Sequence, residues 1–240
     1  MRYLIVIPTY NESESISGLL ARINLVRNRE SAREIEILIV DDNSPDGTAK
    51  LVESLSISGV HILNRAIKSG LGPAYLAGFS WGLERGYDFF LEMDADGSHL
   101  PEELSAMLLA CDQADLVIGS RWVPGGAVVN WPWQRQVISR FGTWYAATLL
   151  RLPYRDLTSG FRVISRAALE SLPFQQIQSK GYGFQVEIAM RLHDGGFRIS
   201  EVPITFVERE YGRSKMTGTI VIEAWRNVTL WGFKRLLDRR

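Results

Sequence analysis

Short apolar runs alternate with segments of helical periodicity through the first half of the chain. The apolar runs are bounded by turn residues, a pattern that is typical of β-strands. Between the first two runs, Ile16, Leu19, Leu20, Ile23 and Val26 fall on one helical face. We therefore predict strands at 3–7, 35–40, 60–63, 89–93 and 116–118, and further helices at 73–83 and 101–111.

The second half has a less regular pattern. A loop rich in Gly, Pro and Trp over 122–133 precedes a helix with an aromatic side, and a charged loop over 207–218 precedes a closing helix. Strands are expected at 161–164 and 199–206, with a helix at 183–192. Strand–helix alternation predicts an α/β fold with a mostly parallel sheet that helices cover on both faces. Repeats and linker composition are absent, so a single domain over 1–240 is expected.

Composition narrows the class of protein. The chain carries 27 Lys plus Arg against 27 Asp plus Glu, so no net field favours nucleic acid. Cys111 is the only cysteine, which excludes a disulfide framework, and its helical phase with Leu104 and Met107 predicts burial. No charge-free apolar run reaches the ~18 residues that a membrane-spanning helix needs. The N-terminus lacks a signal-peptide layout, and we expect a cytosolic protein, soluble or lying on a membrane surface.

Asp94 and Asp96 stand one residue apart where the apolar run 89–93 ends. Ligands of open parallel sheets bind outside the carboxyl ends of the strands, which is where these acids are expected. Paired carboxylates suit a hard divalent cation, Mg²⁺ or Mn²⁺, and such a cation commonly brings phosphates. This motif therefore predicts a metal- and nucleotide-dependent transferase.

Polar turns follow the first two predicted strands. Pro8 is expected to end the first ladder, Tyr10 can stack on a base, and Glu12 can accept hydrogen bonds from a nucleoside. Asp42 follows the second strand, where an acid commonly binds a nucleoside, although both turns could also be plain helix caps. Glycine-rich phosphate loops are absent, so metal and basic side chains must neutralise a diphosphate. The candidate cationic residues are Arg121, Arg135, Arg162, Arg209, Arg213 and Lys215.

In order along the chain, the motifs 8–12, 40–48, 93–99 and 119–121 closely resemble those of family-2 glycosyltransferases with the glycosyltransferase A fold. The later motifs resemble those of dolichyl/polyprenyl-phosphate mannose synthases. They lie at 125–126, 130–132, 159–162, 181–187 and 212–216. The resemblance covers nearly the whole chain and divides it into a nucleotide-sugar part, about 1–121, and an acceptor and membrane-facing part, about 122–240.

The resemblance implies roles for individual residues. Nucleotide-sugar binding is implied for Pro8, Tyr10, Glu12, Val40, Asp42, Asp94, Ala95, Asp96, Arg121, Arg209 and Lys215. Asp96 would bind the metal directly, Asp94 indirectly, and Ser98 stands where some relatives have a Gln ligand. Arg121, Arg135 and Ser139 match positions around the acceptor phosphate. Asp94, Asp96, Arg121 and Lys215 are the implied catalytic residues.

The implied reaction moves mannose from GDP-mannose to a polyprenyl (dolichyl-type) monophosphate with inversion, and releases GDP. The acceptor phosphate is already anionic, so no general base is required; Glu187 is the nearest candidate. A UDP-glucose-dependent sibling, a transferase acting on protein or polysaccharide, and a non-catalytic nucleotide-sugar-binding subunit are the alternatives.

An aromatic stripe on the helix after residue 132 suits a helix in a membrane interface, and packing on the sheet is an equal alternative. We expect a peripheral protein on the cytoplasmic face of a membrane, attached directly or through a membrane-anchoring protein. The stripe comprises Trp131, Trp133, Phe141, Trp144 and Tyr145, beside Arg135 and Arg140, and the closing helix adds Trp225, Val228, Trp231, Phe233 and Leu236.

Overall fold

The computed structural model describes residues 1–177, 179, 181–209 and 218–237. The strands are β1 (Arg2–Thr9), β2 (Glu34–Asp41), β3 (Val60–Asn64), β4 (Phe89–Glu92), β5 (Leu116–Ser120), β6 (Ala127–Val129), β7 (Arg162–Ser165), β8 (Ile199–Pro203) and β9 (Thr205–Val207). The helices are α1 (Ile16–Arg29), α2 (Thr48–Leu55), α3 (Leu71–Glu84), α4 (Leu104–Ala110), α5 (Trp133–Leu150), α6 (Arg166–Glu170), α7 (Tyr182–Asp194) and α8 (Gly218–Leu237).

The main sheet has seven strands in the order β3-β2-β1-β4-β7-β5-β8. Its neighbouring pairs are parallel except those of β7, which runs antiparallel to both β4 and β5. All other strands of the sheet therefore end at one edge. The mostly parallel α/β architecture predicted from the sequence is confirmed, and β7 is its exception.

Side chains of the central strands alternate between two apolar layers. In β1, Leu4 and Val6 pack with α3 and α7 on one face of the sheet. Tyr3, Ile5 and Ile7 pack with α1 and α4 on the other face. A strand buried on both faces reads as one continuous apolar run, and that is the pattern from which β1 was predicted. Cys111 is buried in the second layer, as expected.

Helix α3 lies unusually close to the sheet. A Cβ atom added to Gly78 would meet Val6 Cγ1 at 2.5 Å, and one added to Gly82 would meet Leu4 Cδ2 at 2.6 Å. Separations this short exclude any side chain at both positions, because interiors are packed without spare volume. The two glycines thus set the distance between α3 and the strand ends that carry the cleft described below.

Four local expectations are corrected. The predicted strand 199–206 is two strands in different sheets, since the chain leaves the main sheet at Ile204 and β9 pairs with β6. The segment 122–133, expected to be loop, contains β6. Pro8 does not end the first ladder, because β1 continues beside β2 to Thr9. The helix predicted at 101–111 begins as a 3-10 turn over Pro101–Glu103, and α4 ends at Ala110.

Candidate active site

A cleft of about 270 Å³ opens at the edge where the parallel strands end. Four parallel strands each contribute a residue from the turn that follows them: Tyr10 after β1, Asp42 after β2, Asp96 after β4 and Arg121 after β5. Pro8, Glu12, Asp94, Ala95, Arg135 and Arg209 also line it. Most of the residues selected from the sequence are therefore brought together. Among the described residues, three exceptions are Val40 and Ser98, which are buried and do not line the cleft, and Ser139, which lies on α5 outside the lining.

Two adjacent acids at the end of β2 have separate tasks. Asp41 accepts hydrogen bonds from Thr9 Oγ1 and from the backbone N–H of Ser44, both at 2.8 Å, so it closes the turn. Asp42 lines the cleft and accepts from Arg65 Nη1 at 2.7 Å. Burial raises the pKa of Asp42, and the Arg65 charge opposes this rise. Asp42 is therefore a partly shielded acceptor at the cleft wall.

Lys68 is a cleft residue that the sequence analysis missed. Its Nζ atom lies 3.8 Å from the centroid of the Tyr10 ring, a cation–π contact. Lys68 comes from the segment between β3 and α3, far from Tyr10 in sequence, so no local motif announces it. Together the two side chains form a cationic, aromatic wall at one end of the cleft.

The turn after β4 presents both acidic side chains to the cleft. Gly97 has φ of 76°, a conformation that glycine adopts without strain, and it reverses the chain directly after Asp96. The backbone N–H of Asp94 donates to His99 Nδ1 at 3.1 Å, and that of Ser98 donates to Asp96 Oδ1 at 3.0 Å. These two hydrogen bonds fix the turn and hold the carboxylates near one another.

This arrangement changes the pKa values of two side chains in the turn, Asp94 and His99. Burial, and then the neighbouring Asp96 carboxylate, raise the pKa of Asp94 well above its ordinary value. Burial lowers the pKa of His99 to about 4, so its imidazole is neutral near pH 7. Because Nδ1 accepts the Asp94 N–H, the ring proton is on Nε2, 4.0 Å from Asp94 Oδ2. His99 therefore adds no positive charge to the cleft near pH 7.

The residues around Asp96 fit a divalent cation that shares its coordination with a ligand. Ser98 Oγ is buried without a hydrogen-bond partner among the described residues, and Arg209 Nη2 stands 3.1 Å from Asp96 Oδ2 as a cation. Within the described part of the chain, no group of three or more His, Cys, Asp or Glu is arranged around a metal position. Mg²⁺ commonly uses one or two carboxylates and completes its shell with phosphates and water, which matches this donor set.

Arg121 is not a free phosphate-binding cation. Its Nε and backbone N–H donate to Asp156 Oδ2 at 2.7 and 2.9 Å, and its Nη2 donates to Asp156 Oδ1 at 2.7 Å. Both residues are buried, so the two charges compensate each other within the cleft wall. Asp156 was missed because it lies 35 residues from its partner and outside any motif selected from the sequence. A phosphate role for Arg121 stays a prediction.

Arg135 begins α5 and is better placed for an anion. Its guanidinium lies 4.0 Å from the centroid of the Trp131 ring and is paired with Glu208. About a third of the side chain, 36%, is exposed. Tyr182, at the start of α7, also lines the cleft; it belongs to the motif 181–187, but the sequence analysis gave it no role of its own.

Two further expectations change, and a third falls on residues outside the described part of the chain. Arg162 is fully buried and donates to the backbone carbonyls of Ser159, Leu157 and Gln185, so it braces the scaffold and cannot reach a phosphate. Glu187 is buried, accepts from Ser179 at 2.6 Å and pairs with Arg191, and it does not line the cleft as a base would. Lys215 and Arg213 lie outside the described residues.

The aromatic stripe divides into buried and exposed parts. Trp131 is 7% exposed beside the cleft, and Tyr145 stacks on Trp225 of α8 at 4.8 Å, so these two rings serve packing. The other exposed large apolar side chains of α5 and α8 are here called the α5–α8 face, whereas Val228 of the predicted stripe is buried in the core. The members of this face are Trp133, Val137, Ile138, Phe141, Trp144, Ile222, Leu230, Phe233, Leu236 and Leu237. Among the described helices, none combines the length and apolar character that crossing a bilayer requires.

The fold and the cleft at the strand ends are those of an α/β enzyme, and comparison with known proteins identifies the family. Residues 4–172 match glycosyl transferase family 2, and the chain belongs to this family. It is 53% identical to an undecaprenyl-phosphate mannosyltransferase of Micrococcus luteus, over 97% of this chain and 94% of the relative. It is 48% identical to a polyprenol monophosphomannose synthase of Mycolicibacterium smegmatis, over 99% of this chain and 89% of the relative.

Solved structures share the fold at much lower identity. A glucosyl-3-phosphoglycerate synthase from Mycobacterium tuberculosis aligns with a TM-score of 0.72 at 17% identity, over 96% of this chain and 79% of that one. A mannosyl-3-phosphoglycerate synthase from Rubrobacter xylanophilus aligns with a TM-score of 0.68 at 18% identity, over 100% and 75%. These similarities establish the glycosyltransferase A fold for this chain.

Glu92, beneath the cleft, makes stability depend on pH. Burial raises its pKa to about 7 from 4.5, opposed by Arg162 and by the Gln185 hydrogen bond. The folded protein therefore holds this proton more tightly than the unfolded chain, and stability falls as pH rises from 4.5 to about 7. We expect Glu92→Gln to remove roughly 1–3 kcal/mol of that fall in the free energy of unfolding, measured by urea denaturation across this pH range.

Glu53→Gln is the matched control, since the same chemical change on the exposed surface of α2 should leave the wild-type pH profile intact. Parallel profiles for wild type and Glu92→Gln would show that Glu92 stays ionised in the fold.

Proposed function

We propose that this chain transfers mannose from GDP-mannose to a polyprenyl (dolichyl-type) monophosphate with inversion, giving polyprenyl-phosphate mannose and GDP. The observation that carries the proposal is the Asp94–Asp96 turn, placed in one cleft with Tyr10, Asp42 and Arg135. The printed names of the two relatives, each about half identical to this chain, support the mannosyl group and the polyprenyl phosphate.

The nucleoside binds at the β1–β2 end of the cleft in this proposal. Tyr10 offers a ring for the base, and Lys68 against that ring adds positive charge near the phosphates. Asp42 and Glu12 supply carboxylate acceptors for ribose or base N–H and O–H groups. Pro8 and Ala95 contribute backbone and shape to the lining, because their side chains carry no polar group, and Val40 supports this wall from the core.

The diphosphate meets the Asp94–Asp96 turn. Asp96, with Ser98 beside it, would hold a divalent cation, Mg²⁺ or Mn²⁺, and Asp94 would act on it indirectly. When bound there, such a cation neutralises charge that develops on the departing diphosphate. Arg209 reaches the same carboxylate and so can place a fixed positive charge next to the leaving group. Lys215, outside the described residues, is proposed to add a second charge.

The acceptor phosphate enters from the Arg135 side. Its oxygen forms the new bond to the anomeric carbon while the bond from that carbon to the diphosphate breaks, and GDP keeps the electron pair. A phosphate with a second pKa of ~6 is anionic at neutral pH, so no proton needs to be removed. Arg135 provides the accessible charge, Ser139 lies one helical turn further on α5, and the Arg121–Asp156 pair forms the wall behind.

The α5–α8 face would lie on the membrane surface that supplies the lipid. Arg135 is on the first turn of α5, so a phosphate held there places its polyprenyl tail beside the exposed Trp133. Arg140, stacked 4.6 Å over the Trp122 ring, adds a cation next to this face. Aromatic side chains with adjacent cations are typical of helices in the bilayer interface. A membrane-anchoring protein is the alternative means of attachment.

Transfer of label from GDP-mannose into organic-extractable lipid tests the function. With polyprenyl phosphate and Mg²⁺ or Mn²⁺, we expect labelled lipid from GDP-mannose and little from UDP-glucose supplied alongside. Chelator should abolish transfer, and Asp96→Ala should reduce turnover by at least about 100-fold, comparable to losing a key electrostatic group. Preferential labelling from UDP-glucose would favour the glucosyl sibling, and no labelling from either donor would favour a non-catalytic subunit.

Arg135→Ala tests the division of the basic residues. Its loss should raise the KM for polyprenyl phosphate about 10- to 100-fold, equivalent to ~1.5–3 kcal/mol for a hydrogen bond to a charged group. GDP-mannose binding should change little. Steady-state kinetics with donor and acceptor varied separately provide the measurement, and Arg209→Ala, which should lower kcat instead, serves as the matched arginine. A donor defect with an unchanged acceptor KM would contradict the assignment.

Vesicle binding tests the α5–α8 face. The protein should sediment with vesicles of mixed phosphatidylcholine and phosphatidylglycerol, and high salt should weaken this binding by screening. Trp133→Ala should reduce affinity about tenfold, since one large apolar side chain leaves the interface. Leu109→Ala is the control, because Leu109 is also exposed, at 62%, but lies on α4 across the sheet. Equal effects of both variants, or no vesicle binding at all, would leave a partner protein as the anchor.

A further inference from the structure

The Asp96 carboxylate already has a cation against it. Arg209 Nη2 lies 3.1 Å from Asp96 Oδ2, and only 20% and 7% of the two side chains are exposed. The other carboxylate oxygen, Oδ1, accepts the Ser98 N–H at 3.0 Å. Both oxygens of Asp96 are therefore engaged. A metal ion that is to use Oδ2 must compete with a guanidinium.

Arg209 also offsets the negative charge of the acids in the cleft when no ligand is bound. Asp94, Asp96 and Arg209 all line the same cleft, so the guanidinium places one positive charge in a site that holds two acids. An ion pair so little exposed is only weakly screened by salt.

We propose that Arg209 occupies the cation position on Asp96 in the nucleotide-free protein, and that a nucleoside diphosphate releases this position by accepting the guanidinium. The inference rests on the proposed function only in taking a nucleoside diphosphate as the ligand. A diphosphate offers anionic oxygens to the guanidinium and to a divalent cation together. Arg209 then exchanges one anion for another, while the cation gains Asp96.

Metal and nucleotide binding are coupled by this exchange. If a bound diphosphate raises the affinity for the metal ion by some factor, the bound metal ion raises the affinity for the diphosphate by the same factor, because linkage is reciprocal. If the protein simply offers too few metal ligands, metal binding in the nucleotide-free cleft would also be weak. In that case, however, replacing Arg209 would not change the metal affinity. Competition predicts that removing the guanidinium strengthens metal binding while nucleotide is absent. This difference separates the two explanations.

Titration of Mn²⁺ into the full-length protein, followed by the electron paramagnetic resonance signal of the free ion, is the test. Without nucleotide, Arg209→Met should bind Mn²⁺ about 5- to 20-fold more tightly than wild type, within the usual range of coupling between two ligands. Arg135→Met is the matched control: it removes a cleft arginine that pairs with Glu208, and its Mn²⁺ affinity should stay within about twofold of wild type. GDP should tighten Mn²⁺ binding more in wild type than in Arg209→Met.

Unchanged or weaker Mn²⁺ binding by Arg209→Met would overturn the proposal, as would equal tightening by both arginine variants, which would indicate net charge alone. Absence of Mn²⁺ binding with and without GDP would overturn it too. Thermal melting checks that each variant is folded, and Arg209→Gln replaces Arg209→Met if the latter is not. Since no sugar transfer is measured, tighter Mn²⁺ binding in a chain that fails to mannosylate lipid would keep this inference and reject the proposed function.

Discussion

The burial of two neighbouring acids, Asp94 and Asp96, is the constraint around which the cleft is organised. Two acids at the end of a buried strand cost free energy unless hydrogen bonds and positive charge compensate them. The backbone N–H of Ser98 and the Arg209 guanidinium supply part of that compensation on Asp96. The remainder is left for a ligand. A cation that binds there relieves the free-energy cost of the empty site, and this relief adds to its affinity.

Arginines with similar motif positions perform different work because of what lies opposite them. Arg121 faces the buried Asp156 carboxylate, so the two charges cancel and the ion pair is a fixed part of the wall. Arg162 donates to three backbone carbonyls of the described chain and links the segment 157–159 to α7 through Gln185. Removing one partner of such a buried charge commonly costs about 3–5 kcal/mol. Their roles in the scaffold give a sufficient physical reason for both arginines, apart from any contact with substrate.

The sequence predicts well what is local. Strands β1 to β5 and the position of Asp42 and Asp96 at strand ends follow from apolar runs and turn residues within short windows. What was missed depends on contacts between distant segments. Lys68 meets Tyr10 across the cleft, and Asp156 pairs with Arg121 from another loop. The antiparallel direction of β7 and the β6–β9 pairing were not predicted for the same reason. Strand pairing and direction are set by tertiary packing and not by periodicity.

Two neighbouring residues join the halves of the cleft. Glu208 pairs with Arg135 on the acceptor side, while Arg209 pairs with Asp96 on the metal side. The backbone leading to them is held, since the N–H groups of Val207 and Glu208 donate to the carbonyls of Ser98 and Val129, both at 3.0 Å. Arg209 can therefore change its partner through side-chain torsions while Glu208 keeps its contact with Arg135. The two ion pairs lie side by side, but each can be broken without the other, because distant or separately held contacts contribute independently.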